Sequence, residues 1–206
     1  MLLAAAAVVI AVVVILNVNG TNDPASEEAD LSSSATTGSM TPDSTPTEMV
    51  TLKDPPAVGD EAPAITLESN EGNMVRLSDY KGSWVVLYFY PKDFTRGCTI
   101  QAQKFQKDLA EYHDRNAVIL GVSLDTADSH KEFCAKESLE FKLLADIGGH
   151  VSGAYGSLNV GEELSYSARN TFVIDPEGVV AKVFMKVNPT PHSQEVLAAL
   201  DELQTD

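Results

Sequence analysis

Seven consecutive apolar residues, Trp84-Val85-Val86-Leu87-Tyr88-Phe89-Tyr90, stop at Pro91. A run with no polar alternation suits a strand covered on both faces, and such a strand needs helices packed above and below its sheet. The run is followed by Ala102, Phe105, Leu109 and Tyr112 at helical spacing, and then by a second apolar run, Val118-Ile119-Leu120-Gly121-Val122. A buried strand, an amphipathic helix and another buried strand in succession predict an α/β domain.

The flanking segments extend this core. Ala64-Ile65-Thr66-Leu67 and Met74-Val75-Arg76-Leu77 surround the turn Ser69-Asn70-Glu71-Gly72-Asn73 and predict a hairpin. Ser129 and Glu132 have the spacing of a capping box, which predicts a helix through about Lys136. Asn170 to Ile174 and Val179 to Phe184 flank Asp175-Pro176-Glu177-Gly178, a turn short enough to make the two strands antiparallel. Val196, Leu197, Leu200 and Leu203 predict a closing amphipathic helix. The expected fold class is α/β: a thioredoxin-like mixed central sheet with helices on both faces, preceded by an N-terminal β-hairpin.

Composition divides the chain into three zones. Residues 1–18 hold an uninterrupted apolar run from Met1 to Leu16, ended by Asn17 and Asn19, with no Lys or Arg before it. The run is shorter than the roughly 20 residues of a spanning helix and long for a signal-peptide core. It is read as a membrane anchor or an export signal. Such a segment places the domain at the membrane or on its outer face; without it the expected location is the cytoplasm. Residues 19–56 are rich in Ser, Thr, Pro and acids and lack aromatics. They cannot bury enough apolar area to offset their ordering entropy and are expected to form a disordered tether. Residues 57–206 are long enough for one well-buried core.

With 14 Lys and Arg against 30 Asp and Glu, the chain carries a formal charge of −16. That excludes a nucleic-acid surface, which needs clustered cations, and a polybasic membrane patch. His113, His130, His150 and His192 are scattered without metal-ligand spacing, and no CxxC or HExxH is present. No metal or other cofactor is expected. The two cysteines, Cys98 and Cys134, allow one pairing.

Cys98 sits where the first buried strand gives way to a helix, in Tyr90-Pro91-Lys92-Asp93-Phe94-Thr95-Arg96-Gly97-Cys98-Thr99. At a helix N-terminus the free backbone N–H groups and the macrodipole favour an anion, and the thiolate is the nucleophilic form of cysteine. Arg96 adds positive charge, the Thr95 hydroxyl is within reach of a thiolate or bound oxygen, and Gly97 permits close backbone approach. The alternative is an inert buried cysteine.

Pro91-x-x-x-Thr95-x-x-Cys98 resembles the active-site signature of peroxiredoxins. Tyr90 to Thr99, Ser129-His130-Lys131-Glu132-Phe133-Cys134, Phe141-Lys142-Leu143-Leu144-Ala145-Asp146 and Arg169 to Asp175 are similar to the bacterioferritin-comigratory, or Q-type, branch. The likeness spans roughly Val58 to Leu203. It implies a peroxidatic role for Cys98, a peroxide hydrogen bond from Thr95, support of thiolate and transition state by Arg169, and shielding of the pocket by Pro91. Phe94 and Arg96 depart from residues common in relatives without removing a catalytic atom.

The resemblance further implies a thiol peroxidase that reduces hydrogen peroxide and organic hydroperoxides, with thioredoxin or a similar dithiol as reductant. Many Q-type relatives carry a resolving cysteine five residues after the peroxidatic one; here that position is Gln103. Cys134 is then the expected resolving thiol, as in some relatives, with a one-cysteine enzyme as the alternative. Disulfide geometry holds the two Cα atoms within about 7 Å, and the resemblance implies a folded active state with the two sulfurs farther apart, so turnover is expected to unwind the Cys98 helix, the Cys134 helix, or both. A monomer is expected, because no cysteine-bearing arm follows the last helix. The competing reading from another class is a non-catalytic thioredoxin-fold domain stapled by a structural Cys98–Cys134 disulfide.

Overall fold

The computed structural model describes residues 52–161 and 164–205. The apolar segment 1–18 and the tether up to residue 51 lie outside the described residues. Among the described residues no helix is long and apolar enough to cross a membrane.

The elements are β1 (Thr66–Ser69), β2 (Met74–Arg76), β3 (Trp84–Phe89), α1 (Arg96–Lys107), α2 (Leu109–Asp114), β4 (Ala117–Ser123), α3 (Ala127–Glu137) and β5 (Lys142–Ala145). They continue with α4 (His150–Ala154), β6 (Leu158–Asn159), β7 (Tyr166–Ser167), β8 (Thr171–Ile174), β9 (Val180–Phe184) and α5 (His192–Leu203). Seven strands form one sheet in the order β2-β1-β5-β4-β3-β8-β9. β3, β4 and β5 run parallel; β8, β9, β1 and β2 join antiparallel, which makes the sheet mixed. This is a thioredoxin-like layout.

The period of two along β3 decides which residues face which core. Val86, Tyr88 and Tyr90 enter the cluster built with α1, α2, α3 and α5, including Phe105, Tyr112, Phe133 and Leu200. Val85, Leu87 and Phe89 enter the opposite cluster with Tyr155, Phe172 and Val180. The continuous apolar run is thus apolar because both sides are covered. Gly121 in β4 permits this packing: a Cβ there would come within 2.7 Å of the Tyr88 ring and 2.6 Å of Leu143.

Two local expectations are corrected. The predicted capping box at Ser129 is not formed: α3 starts earlier, capped by Thr126, whose side chain accepts the Ser129 N–H. The helix expected to run through Tyr112 breaks at Asp108 into α1 and α2. The break turns the buried Asp108 carboxylate toward α5, where it accepts hydrogen bonds from Ser193 Oγ at 2.8 Å and Gln194 Nε2 at 2.9 Å. The N-terminal hairpin forms as expected, β1 with β2, and β1 also pairs antiparallel with β5, which joins the hairpin to the main sheet.

Candidate active site

β3 delivers the chain to Pro91, and the loop Pro91–Phe94 turns it into α1. Phe94 adopts a left-handed φ of 60°, unusual for an aromatic residue. Its ring is held edge-on to Phe133 of α3, with centroids 5.1 Å apart. Thr95 is the N-cap of α1 with an extended backbone, which makes Cys98 the third helical residue. The first-turn N–H groups around it have no intrahelical acceptor, and the positive end of the helix dipole lies there. Cys98 is on the buried face of α1 together with Gln101, Ala102 and Phe105, spaced three, four and seven residues on. It is only 2 % exposed.

Arg169 reaches this cysteine from far along the chain. It precedes β8, which runs antiparallel to β3 with Thr171 opposite Tyr88. Continuing that register past the end of β3 sets Arg169 beside the Cys98 turn. Its backbone carbonyl is pinned by the Val187 N–H at 3.0 Å. Its Nη2 donates to Cys98 Sγ at 3.4 Å and its Nη1 to Gln101 Oε1 at 2.6 Å. Gln101 is neutral, and among the described residues no carboxylate pairs with Arg169. The guanidinium thus brings its positive charge against the sulfur. Gly97 makes room: a Cβ there would lie 3.1 Å from Arg169 Nη2.

The other expected site residues fall on the same loop. Thr95 Oγ1 donates to the Lys92 carbonyl at 2.9 Å. Its proton is thereby engaged, and toward a substrate its oxygen is an acceptor. Pro91 is half-buried and lines a cleft of about 570 Å³ with Lys92, Leu124, Ile147, Leu164 and Tyr166. Arg96 is the first residue of α1 and is exposed.

Cys134 is in the last turn of α3, buried beside Phe133 in the same core cluster as Cys98. Its carbonyl accepts the Leu139 N–H at 2.9 Å, and Ser138 closes the helix in a left-handed conformation. Burial pushes the Cys134 thiol up to about 12, so in the folded helix it remains protonated. Both thiols are free and not joined. Gln103, at the position where many relatives carry a cysteine, donates instead to Glu137 of α3 at 2.7 Å. Among the described residues no His, Cys, Asp and Glu cluster is arranged to hold a metal.

Two groups escaped the sequence reading. Gln101 orients the guanidinium; its signal was its position one turn after Cys98 on the buried face. The second is a buried polar cluster, Tyr90, Asp93, Ser129 and His130, for which the sequence offered only a polar residue inside an otherwise apolar face.

A mixed thioredoxin-like sheet that sets one buried thiol in the first turn of a helix, against a guanidinium donor, defines a cysteine-based peroxidase. The comparisons with known proteins agree. The chain belongs to the AhpC/TSA family, whose model matches residues 58–183. It is 39% identical over 150 residues to the peroxiredoxin Bcp of Bacillus subtilis, covering 71% of this chain and 96% of that one. It is 39% identical over 149 residues to the chloroplastic peroxiredoxin Q of Sedum lineare, covering 71% and 78%. Among solved structures, the Xanthomonas campestris bacterioferritin comigratory protein, studied for alkyl peroxide reduction, superposes with a TM-score of 0.65 at 34% identity, covering 68% of this chain and 91% of that one. The chain is thus a thiol-dependent peroxidase.

Proposed function

We propose that Cys98 attacks hydrogen peroxide and alkyl hydroperoxides and that Cys134 resolves the product. The thiolate sulfur bonds to the terminal peroxide oxygen as the O–O bond breaks. The leaving oxygen takes a proton and departs as water or alcohol, and Cys98 becomes a sulfenic acid. Negative charge grows on the leaving oxygen during this step, and fixed donors aimed at it lower the barrier. Arg169 and the first-turn N–H groups are such donors. Thr95 Oγ1 accepts the hydroperoxide O–H and orients it, and Pro91 closes the approach against water. The observation that carries the reading is the 3.4 Å contact between Arg169 Nη2 and Cys98 Sγ.

The Cys134 sulfur then displaces hydroxide from the sulfenic sulfur, giving a Cys98–Cys134 disulfide and water. A folded α3 keeps Cys134 protonated and buried, so its last turn must open first. Two electrons from a dithiol of the thioredoxin type return the disulfide to two thiols by exchange. Two free thiols in the folded domain favour this cycle over a structural staple. Residues 1–18 and the acidic tether would hold the domain, as a monomer, at or beyond a membrane; external protease added to intact cells tests that arrangement.

The resolving role is tested by one equivalent of peroxide and intact-protein mass spectrometry. Wild type should lose two hydrogens, and Cys134→Ser should gain one oxygen, on Cys98. A wild-type protein that also keeps a stable added oxygen would refute resolution by Cys134.

A further inference from the structure

The active-site loop and the helix that carries Cys134 are fastened together by a buried polar clasp. Asp93, two residues before the N-cap of α1, is 3 % exposed, and His130 of α3 is 0 % exposed. The Asp93 carboxylate receives three groups. Tyr90 Oη donates to Oδ1 at 2.7 Å, Ser129 Oγ donates to Oδ2 at 2.8 Å, and His130 Nδ1 lies 2.8 Å from Oδ2. The far side of the imidazole faces the Leu144 carbonyl of β5 at 3.2 Å. The Asp93 N–H donates to Asp125 Oδ2 at 2.9 Å, and Asp125 in turn accepts from Ser123 Oγ at 2.7 Å. Phe94 on Phe133 adds an apolar stitch beside the polar one.

None of these hydrogen bonds goes to Cys98, and a buried carboxylate is costly unless its acceptors are filled. The placement gives the cluster a use. Asp93 sits on the loop that must move when the first turn of α1 unwinds. His130 sits one helical turn before Cys134. The clasp thus ties the segment holding one sulfur to the segment holding the other.

We propose that Asp93, His130, Ser129 and Tyr90 are positioning residues that hold the peroxide-reactive arrangement and set the cost of leaving it for disulfide formation. This rests on the reading of Cys134 as the resolving thiol. With the clasp closed, the Pro91–Phe94 loop is fixed against α3 and Cys98 stays beside Arg169. With it weakened, the loop detaches more readily, the reactive arrangement is less populated, and the two sulfurs meet sooner.

The test separates two rates by stopped flow. The first is the second-order rate of Cys98 oxidation, and the second is the first-order conversion of sulfenic acid to disulfide. Asp93→Asn keeps the shape but removes the charge. It should slow the first rate and speed the second, so that their ratio shifts by about tenfold, the factor produced by losing one hydrogen bond to a charged group. Tyr90→Phe and Ser129→Ala each remove one donor and should shift both rates the same way by less. They carry the test if Asp93→Asn does not fold. A role in folding alone would lower thermal stability without driving the two rates apart. Rates that move together, or an Asp93→Asn ratio of the two rates within about threefold of wild type, overturn the proposal. The Cys134→Ser protein keeps the two readings distinct. If its sulfenic acid decays as fast as in wild type, the resolving assignment fails, while the first rate still reports on the clasp.

Discussion

Replacing Arg169 with Met removes the donor to Cys98 while keeping an unbranched side chain of similar reach. Two contacts are lost, the one to sulfur at 3.4 Å and the one to Gln101 at 2.6 Å. The contact to Gln101 serves only to aim the guanidinium, so the kinetic loss follows from the sulfur-facing group. A hydrogen bond to a charged group contributes about 1.5–3 kcal/mol. Removing one fixed donor from a site of developing negative charge slows reactions by about 10²–10³. The expected second-order rate of Cys98 oxidation is therefore lower by about 10²–10³. The single Trp84 packs against the same core cluster as Cys98, so its fluorescence is a suitable stopped-flow signal. Arg169→Lys keeps the charge but cannot bridge both partners, and its rate should fall between those of wild type and Met. A Met variant within about threefold of wild type would show that Arg169 does not stabilise the charge developing at the reacting atoms, because donors of this kind are worth far more than that.

Gly97→Ala should slow peroxide attack by about three- to tenfold with little change in melting temperature, since its methyl would press on the Arg169 Nη2 that small displacements misalign; an unchanged rate would show that the guanidinium has slack. Tyr88→Phe should leave thermal stability unchanged or raise it by about 1 kcal/mol, because the buried Tyr88 hydroxyl has no partner among the described residues; a clear loss would mean that the hydroxyl is satisfied in solution. His192 is buried, with Nε2 2.8 Å from Thr171 Oγ1, and burial lowers it to about 4. Below its unfolded value near 6.5 the unfolded chain takes up a proton that the folded one refuses. Stability is therefore full above about pH 6.5 and falls toward pH 4 by up to about 1.4 kcal/mol per unit. Urea melts across that range check the slope, and His192→Gln should flatten it.

The core of the fold was readable where one signal dominated. The apolar run from Trp84 to Tyr90 declared a doubly covered strand, Pro91 marked its end, and Asp175 to Gly178 marked the β8–β9 turn, closed by Asp175 Oδ1 accepting the Val179 N–H at 2.8 Å. β5 and α4 were missed because four and five residues are too short to show a period. The break at Asp108 was missed because its cause is a tertiary contact with α5, 85 residues away. At the site, Cys98 was legible from its place between strand and helix. Arg169 came from resemblance alone, because its approach depends on the β3–β8 register. The Asp93–His130 clasp joins residues 37 positions apart, and no local pattern announces it.

Consumption of peroxide by the Cys98 thiolate is read out by following hydroperoxide loss and thiol loss together, on reduced wild type, Cys98→Ser and Cys134→Ser proteins. Wild type should consume one peroxide for each two thiols lost, Cys134→Ser one peroxide for each thiol lost in the first turnover, and Cys98→Ser none above buffer. Continued consumption by Cys98→Ser, or peroxide loss in wild type without thiol loss, would contradict the account.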